Sequence, residues 1–212
     1  MTLEESRLRD DICRWGASLF NRGYTAGSSG NLSARLPDGF LVTPTNSCLG
    51  FLEPSRLTKL DTAGRLVSGD PPTKEVPLHM AFYEARPEAG AVVHLHSTFA
   101  TALSCLADTD PEDALPPITP YMVMRVGRVP VIPYTHPGSA DVKPLILARA
   151  AEHPAVLLAN HGPVVSGKSF EAAVFAAEEL EETAKLVLLT RGLPQRHLPS
   201  DVVSELRRRF GS

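Results

Sequence analysis

The chain has 212 residues, of which 43% are hydrophobic and 21% are charged, enough for the core of an α/β domain. The formal net charge of -3 and the sequence pI near 6.2 argue against general affinity for nucleic acid or anionic membranes. No apolar run is long enough to span a bilayer, and the acidic N-terminus lacks signal-peptide features. Three scattered cysteines outside any CxxC spacing indicate free thiols, so we expect a cytoplasmic protein.

Hydrophobic patterns predict helices and hairpins in alternation along the chain. Apolar residues at positions 8, 12, 15 and 19 recur at helical spacing, which predicts a helix over 3–22 that ends at Gly23. Hairpins are expected over 33–43 and 57–67, and further strands over 91–96, 129–132 and 155–159. Helices are predicted over 76–85, 97–106, 139–151, 169–191 and 201–209. We therefore expect a mixed, largely antiparallel sheet covered by helices, in one domain over 1–212.

Two histidines, His94 and His96, are the strongest chemical signal in the sequence. They follow the β-branched Val92 and Val93 in a predicted buried strand, where side chains two residues apart point to the same face. A third histidine, His161, follows a second apolar strand. One such histidine alone would be interpreted as a satisfied core residue. Three neutral imidazoles with an open position match the ligand set of a catalytic zinc or similar divalent metal, and the combined pattern favours that interpretation.

Glu75 begins the predicted helix over 76–85, and two interpretations of it stay open. A carboxylate at a helix N-terminus commonly complements the helix dipole. The same carboxylate beside a metal is a candidate general acid/base, or a fourth ligand before substrate arrives. The residues around Glu75 do not decide between these roles, and the nearby histidine motif favours the functional one.

Three small polar loops predict an anion pocket. The loop over 27–31 (Gly-Ser-Ser-Gly-Asn) offers backbone N–H groups and hydroxyls that suit a phosphate without a P-loop lysine. The pairs Thr45-Asn46 and Thr73-Lys74 have the same character, and Lys74 adds a cation. Each loop alone is also typical of an ordinary turn, so the pocket is a hypothesis that depends on all three meeting.

The remaining polar candidates have simpler explanations. His79, His153 and His197 are interpreted as structural or surface residues, whereas His136, in a Tyr-Thr-His-Pro-Gly segment, is a modest candidate for lining a site. Tyr121 follows a proline-rich stretch and is more often a packed aromatic than an acid. The Asn-His-Gly sequence over 160–162 is also typical of a strand-to-turn boundary.

Taken together and in order, these motifs resemble the class II aldolase/adducin family of metal-dependent sugar-phosphate lyases and epimerases. The resemblance covers most of the chain and rests on the segments 28–33, 41–45, 75–79, 91–97 and 158–162. It implies an αβα sandwich around a central sheet. It also implies a four-fold homotetramer with the site near a subunit boundary.

The resemblance implies roles for individual residues as well. Zn²⁺ would be bound by His94, His96 and His161, with Glu75 as acid/base, although the same ligands accept other divalent ions. The implied phosphate and substrate contacts come from the small polar loops: Ser29, Asn31, Thr45, Asn46, Thr73 and Lys74. By its place before Met122, Tyr121 would correspond to the tyrosine that protonates or stabilises the reacting centre in aldolase relatives.

Within the family, the segments 41–47 and 74–79 are most similar to 3-oxo-tetronate 4-phosphate decarboxylases. Epimerases typically carry Ser-Ser-Asp, and aldolases Ser-Ser-Glu, where this chain has Thr73-Lys74-Glu75. We therefore expect a lyase that converts a phosphorylated four-carbon sugar acid to dihydroxyacetone phosphate and CO₂. The alternatives are an aldolase of the L-fuculose-phosphate type, a methylthioribulose-phosphate dehydratase and, without catalysis, an adducin-like binding module.

Overall fold

A computed structural model describes residues 2–210 and contains one eight-stranded sheet between two helical layers. The strands are β1 (Asn31–Leu36), β2 (Gly39–Val42), β3 (Thr58–Asp61), β4 (Leu66–Ser68), β5 (Ala91–His94), β6 (Val131–Ile132), β7 (Ala155–Leu158) and β8 (Gly162–Gly167). Their order across the sheet is β4-β3-β2-β1-β5-β8-β7-β6. Neighbouring strands of the described chain run antiparallel except β6 and β7, which confirms the expected mixed, largely antiparallel sheet.

Helices cover both faces of this sheet. They are α1 (Leu3–Asn21), α2 (Val76–Ala85), α3 (Thr98–Ser104), α4 (Pro120–Arg125), α5 (Val142–Ala150), α6 (Phe170–Leu189) and α7 (Ser200–Phe210), with a 3₁₀ turn at Leu49–Phe51. One apolar core lies beneath α1, α3 and α6, and a second lies beneath α2 and α5. Successive residues of β5 alternate between them, since Val93 belongs to the first core and Val92 to the second. The central strand is therefore buried on both faces, and the αβα sandwich is confirmed.

Several element boundaries differ from the sequence-based expectations. The strand expected over 91–96 ends at His94, because its ladder with β8 ends at the His94–Val164 pair. The strand β8 was not predicted. Its sequence, Gly-Pro-Val-Val-Ser-Gly, lacks a clear alternation, and it becomes a strand by pairing between β5 and β7. The strand expected over 129–132 is reduced to two residues.

The helices do not provide a transmembrane segment. Across residues 2–210, none combines the length and the apolar character that crossing a bilayer requires.

A buried ion network joins α1 to the sheet and to the loop before β3. The Arg9 guanidinium donates to Glu5 Oε1 at 2.8 and 3.0 Å, and to the carbonyls of Pro54 and Leu57 at 2.8 Å each. Lys59 Nζ lies 3.0 Å from Glu5 Oε2. The side chains of Glu5 and Arg9 are 6% and 7% exposed. Each buried charge therefore has an opposite charge within hydrogen-bonding distance.

Removal of the Glu5 carboxylate is expected to destabilise the fold. A Glu5→Ala variant leaves the buried Arg9 guanidinium without its carboxylate, whereas Lys59 keeps its ion pair with Asp38. Breaking a buried pair in this way costs about 3–5 kcal/mol. Urea denaturation should therefore show a free energy of unfolding lower by about 3 kcal/mol. The exposed neighbour Glu4 offers a matched control, and Glu4→Ala should stay within about 0.5 kcal/mol of the wild type. Equal stabilities for the two variants would refute a stabilising role for the network.

Candidate metal centre

Three histidines and one glutamate converge where β5 and β7 end. The Nε2 atoms of His94 and His96 are 3.1 Å apart, and the Nε2 atom of His161 lies 3.3 Å from His94 and 3.1 Å from His96. The carboxylate of Glu75 closes the group, with Oε2 3.3 Å from His94 Nε2 and Oε1 3.5 Å from His161 Nε2. All four side chains thus present a donor atom within 4.8 Å of the others.

The sheet topology brings these histidines together. His94 is the last residue of β5, and His161 lies in the tight turn that joins β7 to β8. Because β8 pairs directly with β5, the turn is held beside the end of β5. Asn160 adopts a positive φ of 56° in this turn, a conformation that asparagine tolerates. The Asn-His-Gly sequence is therefore both a turn and part of the site.

Two glycines permit the close approach of the backbones around this cluster. A Cβ atom on Gly162 would lie 2.4 Å from the Leu95 carbonyl oxygen. A Cβ atom on Gly30, which also has a positive φ of 79°, would lie 2.9 Å from the carbonyl oxygen of His94. Larger residues at either position would push the β5 terminus away from its neighbours.

Glu75 is the residue preceding α2, and its side chain does not cap that helix. Its Oε2 atom instead accepts a hydrogen bond of 2.7 Å from the Asn31 amide. Burial raises the pKa of Glu75, but the contacts with His94 and Asn31 lower it by more, so its pKa lies well below the usual range. The carboxylate is therefore ionised at neutral pH and faces the three imidazoles.

Two of the three imidazoles are held in the neutral form, which binds a metal. Burial, together with the neighbouring His94, lowers the pKa values of His96 and His161 to about 4, so both rings are neutral near pH 7. His94 Nδ1 lies 2.9 Å from the Pro163 carbonyl oxygen, which can accept its N–H. In a neutral ring this hydrogen bond leaves the lone pair on Nε2, the atom that faces the other histidines.

The spacing of the three Nε2 atoms tests whether a tetrahedral metal fits. With metal–nitrogen distances of about 2.0–2.1 Å, the edge of a tetrahedron is about 3.4 Å. The measured separations of 3.1–3.3 Å are close to this edge. Neutral rings with lone pairs this close repel one another, and a cation between them would remove the repulsion. The residues present therefore fit a divalent metal, with the Glu75 carboxylate on the fourth side.

The small polar loops meet in one cavity beside the histidines. This cavity, of about 380 Å³, is bordered by Glu75, His96 and His161, and also by the six residues predicted to contact phosphate and substrate: Ser29, Asn31, Thr45, Asn46, Thr73 and Lys74. The loops therefore lie together, as the anion-pocket hypothesis requires.

Three of the six polar side chains are already engaged within the chain. The Ser29 hydroxyl donates to the Ala26 carbonyl of its own turn at 2.6 Å. The Thr73 hydroxyl accepts from the Glu75 backbone N–H at 3.2 Å, and the Asn31 amide donates to the Glu75 carboxylate. The ammonium of Lys74 supplies the positive charge along this wall of the cavity.

Tyr121 lies apart from the cluster in a single chain. It is on α4 with 55% of its surface exposed, and the Arg125 guanidinium lies 5.6 Å from its ring centre. In the part of the chain that the structure describes, Tyr121 is not among the residues lining either cavity next to Glu75. Its proposed role as an acid would therefore require a neighbouring chain to bring it to the site.

The structure adds two residues that the sequence analysis did not select, since Thr101 and Asn160 line the same cavity as Lys74. His136, which the sequence analysis did name, borders a small cleft beside Glu75 and His161. His136 lies in the loop between β6 and α5.

His79 also has contacts that its sequence position did not predict. It is fully buried on α2, and burial lowers its pKa to about 3, so the ring is neutral. Its Nε2 atom lies 2.5 Å from the Asn31 carbonyl oxygen, and its Nδ1 atom lies 2.7 Å from the Ser33 hydroxyl. Asn31 in turn contacts Glu75, so Asn31 connects His79 to the site.

Comparison with known proteins finds curated enzymes whose sequences are similar to this chain. A curated protein of Pectobacterium atrosepticum, named 3-oxo-tetronate 4-phosphate decarboxylase, is 52% identical over 203 residues, covering 95% of this chain and 93% of the relative. The L-fuculose phosphate aldolase of Escherichia coli is 32% identical over 190 residues, covering 89% of this chain and 86% of the relative. The shared sequence thus extends over nearly the whole chain.

Solved structures share the fold over the same extent. The crystal structure of the Klebsiella pneumoniae protein YgbL matches with a TM-score of 0.94 at 49% identity, covering 98% of this chain and all of that one. An L-fuculose 1-phosphate aldolase structure matches with a TM-score of 0.86 at 28% identity, covering 96% of each chain. The family model for the class II aldolase and adducin N-terminal domain matches residues 10–188. The chain therefore belongs to the class II aldolase and adducin N-terminal domain family.

Proposed function

We propose that this chain is a metal-dependent 3-oxo-tetronate 4-phosphate decarboxylase. The observation that carries the proposal is 52% identity over nearly the whole chain to a curated protein of that name. The convergence of three histidines and Glu75 in a group that could hold a metal ion supports it. An adducin-like binding module without catalysis would have no need of this buried ligand set. The zinc ion is part of the proposal, because neutral imidazoles with one carboxylate are typical zinc ligands.

The proposed reaction breaks the bond between C1 and C2 of the substrate. The electron pair of that bond moves into the C3 ketone, so CO₂ leaves and the enediolate of dihydroxyacetone phosphate remains. A proton added at C2 then gives dihydroxyacetone phosphate. When bound, the metal supplies positive charge that stabilises the negative charge developing on the substrate oxygens.

The chain's own residues would supply positioning and the proton. The cavity wall containing Lys74, Thr45 and Asn46 would hold the phosphate, which fixes the C1–C2 bond relative to the ketone plane. Glu75 would transfer the proton at C2. Since its carboxylate is ionised in the resting site, it must first take up that proton from water.

We assign Lys74 to the phosphate and not to the departing carboxylate. Pairing a cation with the carboxylate would stabilise the substrate more than the transition state, in which that charge is lost. A lysine on a phosphate dianion keeps its partner throughout the reaction. Lys74 also lies on the cavity wall with the other polar loops.

A Lys74→Ala variant is therefore expected to bind the phosphorylated substrate weakly. A hydrogen bond to a charged group contributes about 1.5–3 kcal/mol, so KM should rise about tenfold to a hundredfold with little change in kcat. Steady-state kinetics would measure both constants. Lys168→Ala, at an exposed lysine outside the cavity, serves as the control. An unchanged KM in Lys74→Ala would remove Lys74 from the phosphate site.

The proposal also covers assembly and location. We propose a cytoplasmic homotetramer whose site lies near a subunit boundary, with no nucleic-acid or membrane partner. Tyr121 is exposed and lies outside the cavities next to Glu75, so the acid role proposed for it would need a second chain at the site.

The second candidate is an aldolase that cleaves a ketose 1-phosphate such as L-fuculose 1-phosphate. Relatives named L-fuculose phosphate aldolase at 32–35% identity favour it over other lyases. Both reactions leave the same enediolate, so one site could support either. A comparison of kcat/KM for 3-oxo-tetronate 4-phosphate and L-fuculose 1-phosphate, with the metal-loaded protein, separates them. Turnover of the second substrate alone would replace the decarboxylase assignment with the aldolase one.

A further inference from the structure

A buried row of polar side chains extends from Glu75 into the core between α2 and β1. His79 and Tyr83 are four residues apart on one face of α2, and Glu75, which immediately precedes the helix, is four residues before His79. Asn31 and Ser33 are two residues apart on β1 and share a face of that strand. The two sets interleave, so that each β1 side chain lies between two α2 side chains.

The contacts form one continuous chain of short hydrogen bonds. Asn31 Nδ2 lies 2.7 Å from Glu75 Oε2, and Asn31 Oδ1 lies 2.5 Å from His79 Nε2. His79 Nδ1 lies 2.7 Å from Ser33 Oγ, which lies 2.8 Å from the Tyr83 hydroxyl. His79 and Ser33 are completely buried, and Tyr83 is 4% exposed. Water therefore does not compete for these hydrogen bonds.

The carboxylate sets the direction of every hydrogen bond in this row. An ionised carboxylate only accepts, so the NH₂ group of Asn31 must face Glu75 and its carbonyl oxygen must face His79. The imidazole then has to donate from Nε2. A neutral ring has a single N–H, so Nδ1 accepts from the Ser33 hydroxyl, and the Ser33 oxygen accepts from Tyr83.

We propose that His79 is a positioning residue that holds the Asn31 amide, and through it the Glu75 carboxylate, in the orientation used for catalysis. If the ring carried its proton on Nδ1, Nε2 would require a donor and the Asn31 amide would turn over. The carbonyl oxygen of Asn31 would then face the Glu75 carboxylate and repel it. The ring nitrogen of His79 that carries the proton therefore determines how the Asn31 amide, and with it the Glu75 carboxylate, is oriented.

The catalytic part of this inference rests on the proposed role of Glu75 in proton transfer. A purely structural role for His79 would affect stability alone, whereas a positioning role would affect kcat in a protein that remains folded. Removal of a group that hydrogen-bonds to a metal-site residue and orients it commonly lowers activity by about tenfold to a hundredfold.

Three variants test the inference in the metal-loaded protein. His79→Leu removes both ring hydrogen bonds, His79→Gln keeps a donor and an acceptor, and Tyr83→Phe removes the last hydroxyl of the row. We expect His79→Leu to lower kcat about tenfold to a hundredfold, with KM and metal content close to wild type. His79→Gln should restore most of kcat. Tyr83→Phe should lower kcat less than His79→Leu does, because Ser33 can still donate a hydrogen bond to the His79 ring.

Two outcomes would overturn the positioning role. One is a folded, metal-loaded His79→Leu protein with wild-type kcat. The other is an equal loss of kcat in His79→Leu and His79→Gln. If His79→Leu does not fold, Ser33→Ala takes its place, since it removes the donor to Nδ1 and leaves the ring. A lower kcat at unchanged KM in Ser33→Ala supports the role, and a wild-type kcat overturns it.

An NMR measurement tests the geometry without turnover. In protein labelled with nitrogen-15 histidine, long-range proton–nitrogen spectra identify which ring nitrogen carries the proton, and His79→Gln assigns the His79 signals. We expect His79 to carry its proton on Nε2, and a proton on Nδ1 would overturn the inference. A wild-type protein inactive on 3-oxo-tetronate 4-phosphate would refute the proposed function, while this spectrum would still test the hydrogen-bond chain.

Discussion

A His94→Ala variant is expected to lose its bound metal and its turnover together. His94 is completely buried, and its Nε2 atom lies within 3.3 Å of both other imidazoles, so the metal would lose the central member of its ligand set. A bound metal contributes several kcal/mol to stabilising charge in the transition state, and about 4 kcal/mol corresponds to about a thousandfold in rate. Metal analysis and steady-state kinetics on the same preparation would measure both effects.

The stability of the variant provides an independent readout of the same loss. A metal that binds the folded state raises the melting temperature of the wild-type protein, and His94→Ala should show no such rise on zinc addition. His197→Ala, at an exposed histidine, is the matched control and should keep metal, melting shift and activity. Persistent activity in metal-free His94→Ala would refute a metal-dependent mechanism for this site.

A Glu75→Gln variant is expected to keep its metal and lose catalysis. The amide keeps the size of the side chain and can still accept from Asn31, but it cannot take up or deliver a proton. Loss of a general acid/base typically lowers kcat by about a hundredfold to ten-thousandfold. The three histidines remain, so metal content should stay close to one ion per chain. Kinetics and metal analysis together would separate the proton-transfer role from a role as an essential ligand.

Glu84, on the helix α2 that follows Glu75, supplies the control for this experiment. It is exposed and pairs with Lys143 at 2.7 Å, away from the histidine cluster. Glu84→Gln should therefore leave kcat unchanged. Wild-type kcat in Glu75→Gln would exclude proton transfer by Glu75. Loss of the metal along with activity would instead make Glu75 an essential ligand.

Local patterns predicted most of the sheet and the histidine cluster. The β-branched residues before His94 predicted a buried strand, and the two-residue spacing to His96 predicted two imidazoles on one side. The strand ends at His94, yet the chain continues far enough in the same direction to bring His96 within 3.1 Å of it. The spacing along the chain was therefore sufficient to predict that His94 and His96 lie together.

Contacts between distant segments could not be predicted in the same way. The sequence around Glu75 suited either a helix-dipole role or a site role, and the difference depends on β5 and the β7–β8 turn lying beside it. The sequence favours a structural role for His79, and its contacts with Asn31 and Ser33 could not be predicted because these partners are more than 40 residues away. For Tyr121 the sequence motif implied a role in the site, but the structure places its side chain away from the histidines of the same chain. A position in a motif therefore does not establish where the side chain lies.

We propose that this metal centre removes CO₂ from a 3-oxo-tetronate 4-phosphate. The most direct measurement uses substrate labelled with carbon-13 at the carboxyl group, with metal-loaded protein and with protein stripped by a chelator. We expect labelled CO₂ and dihydroxyacetone phosphate in equal amounts from the loaded protein, no more than in a protein-free sample from the stripped protein, and recovery when zinc is restored. Labelled carbon that stays in the sugar acid with the loaded protein, under conditions where zinc is bound, would contradict it.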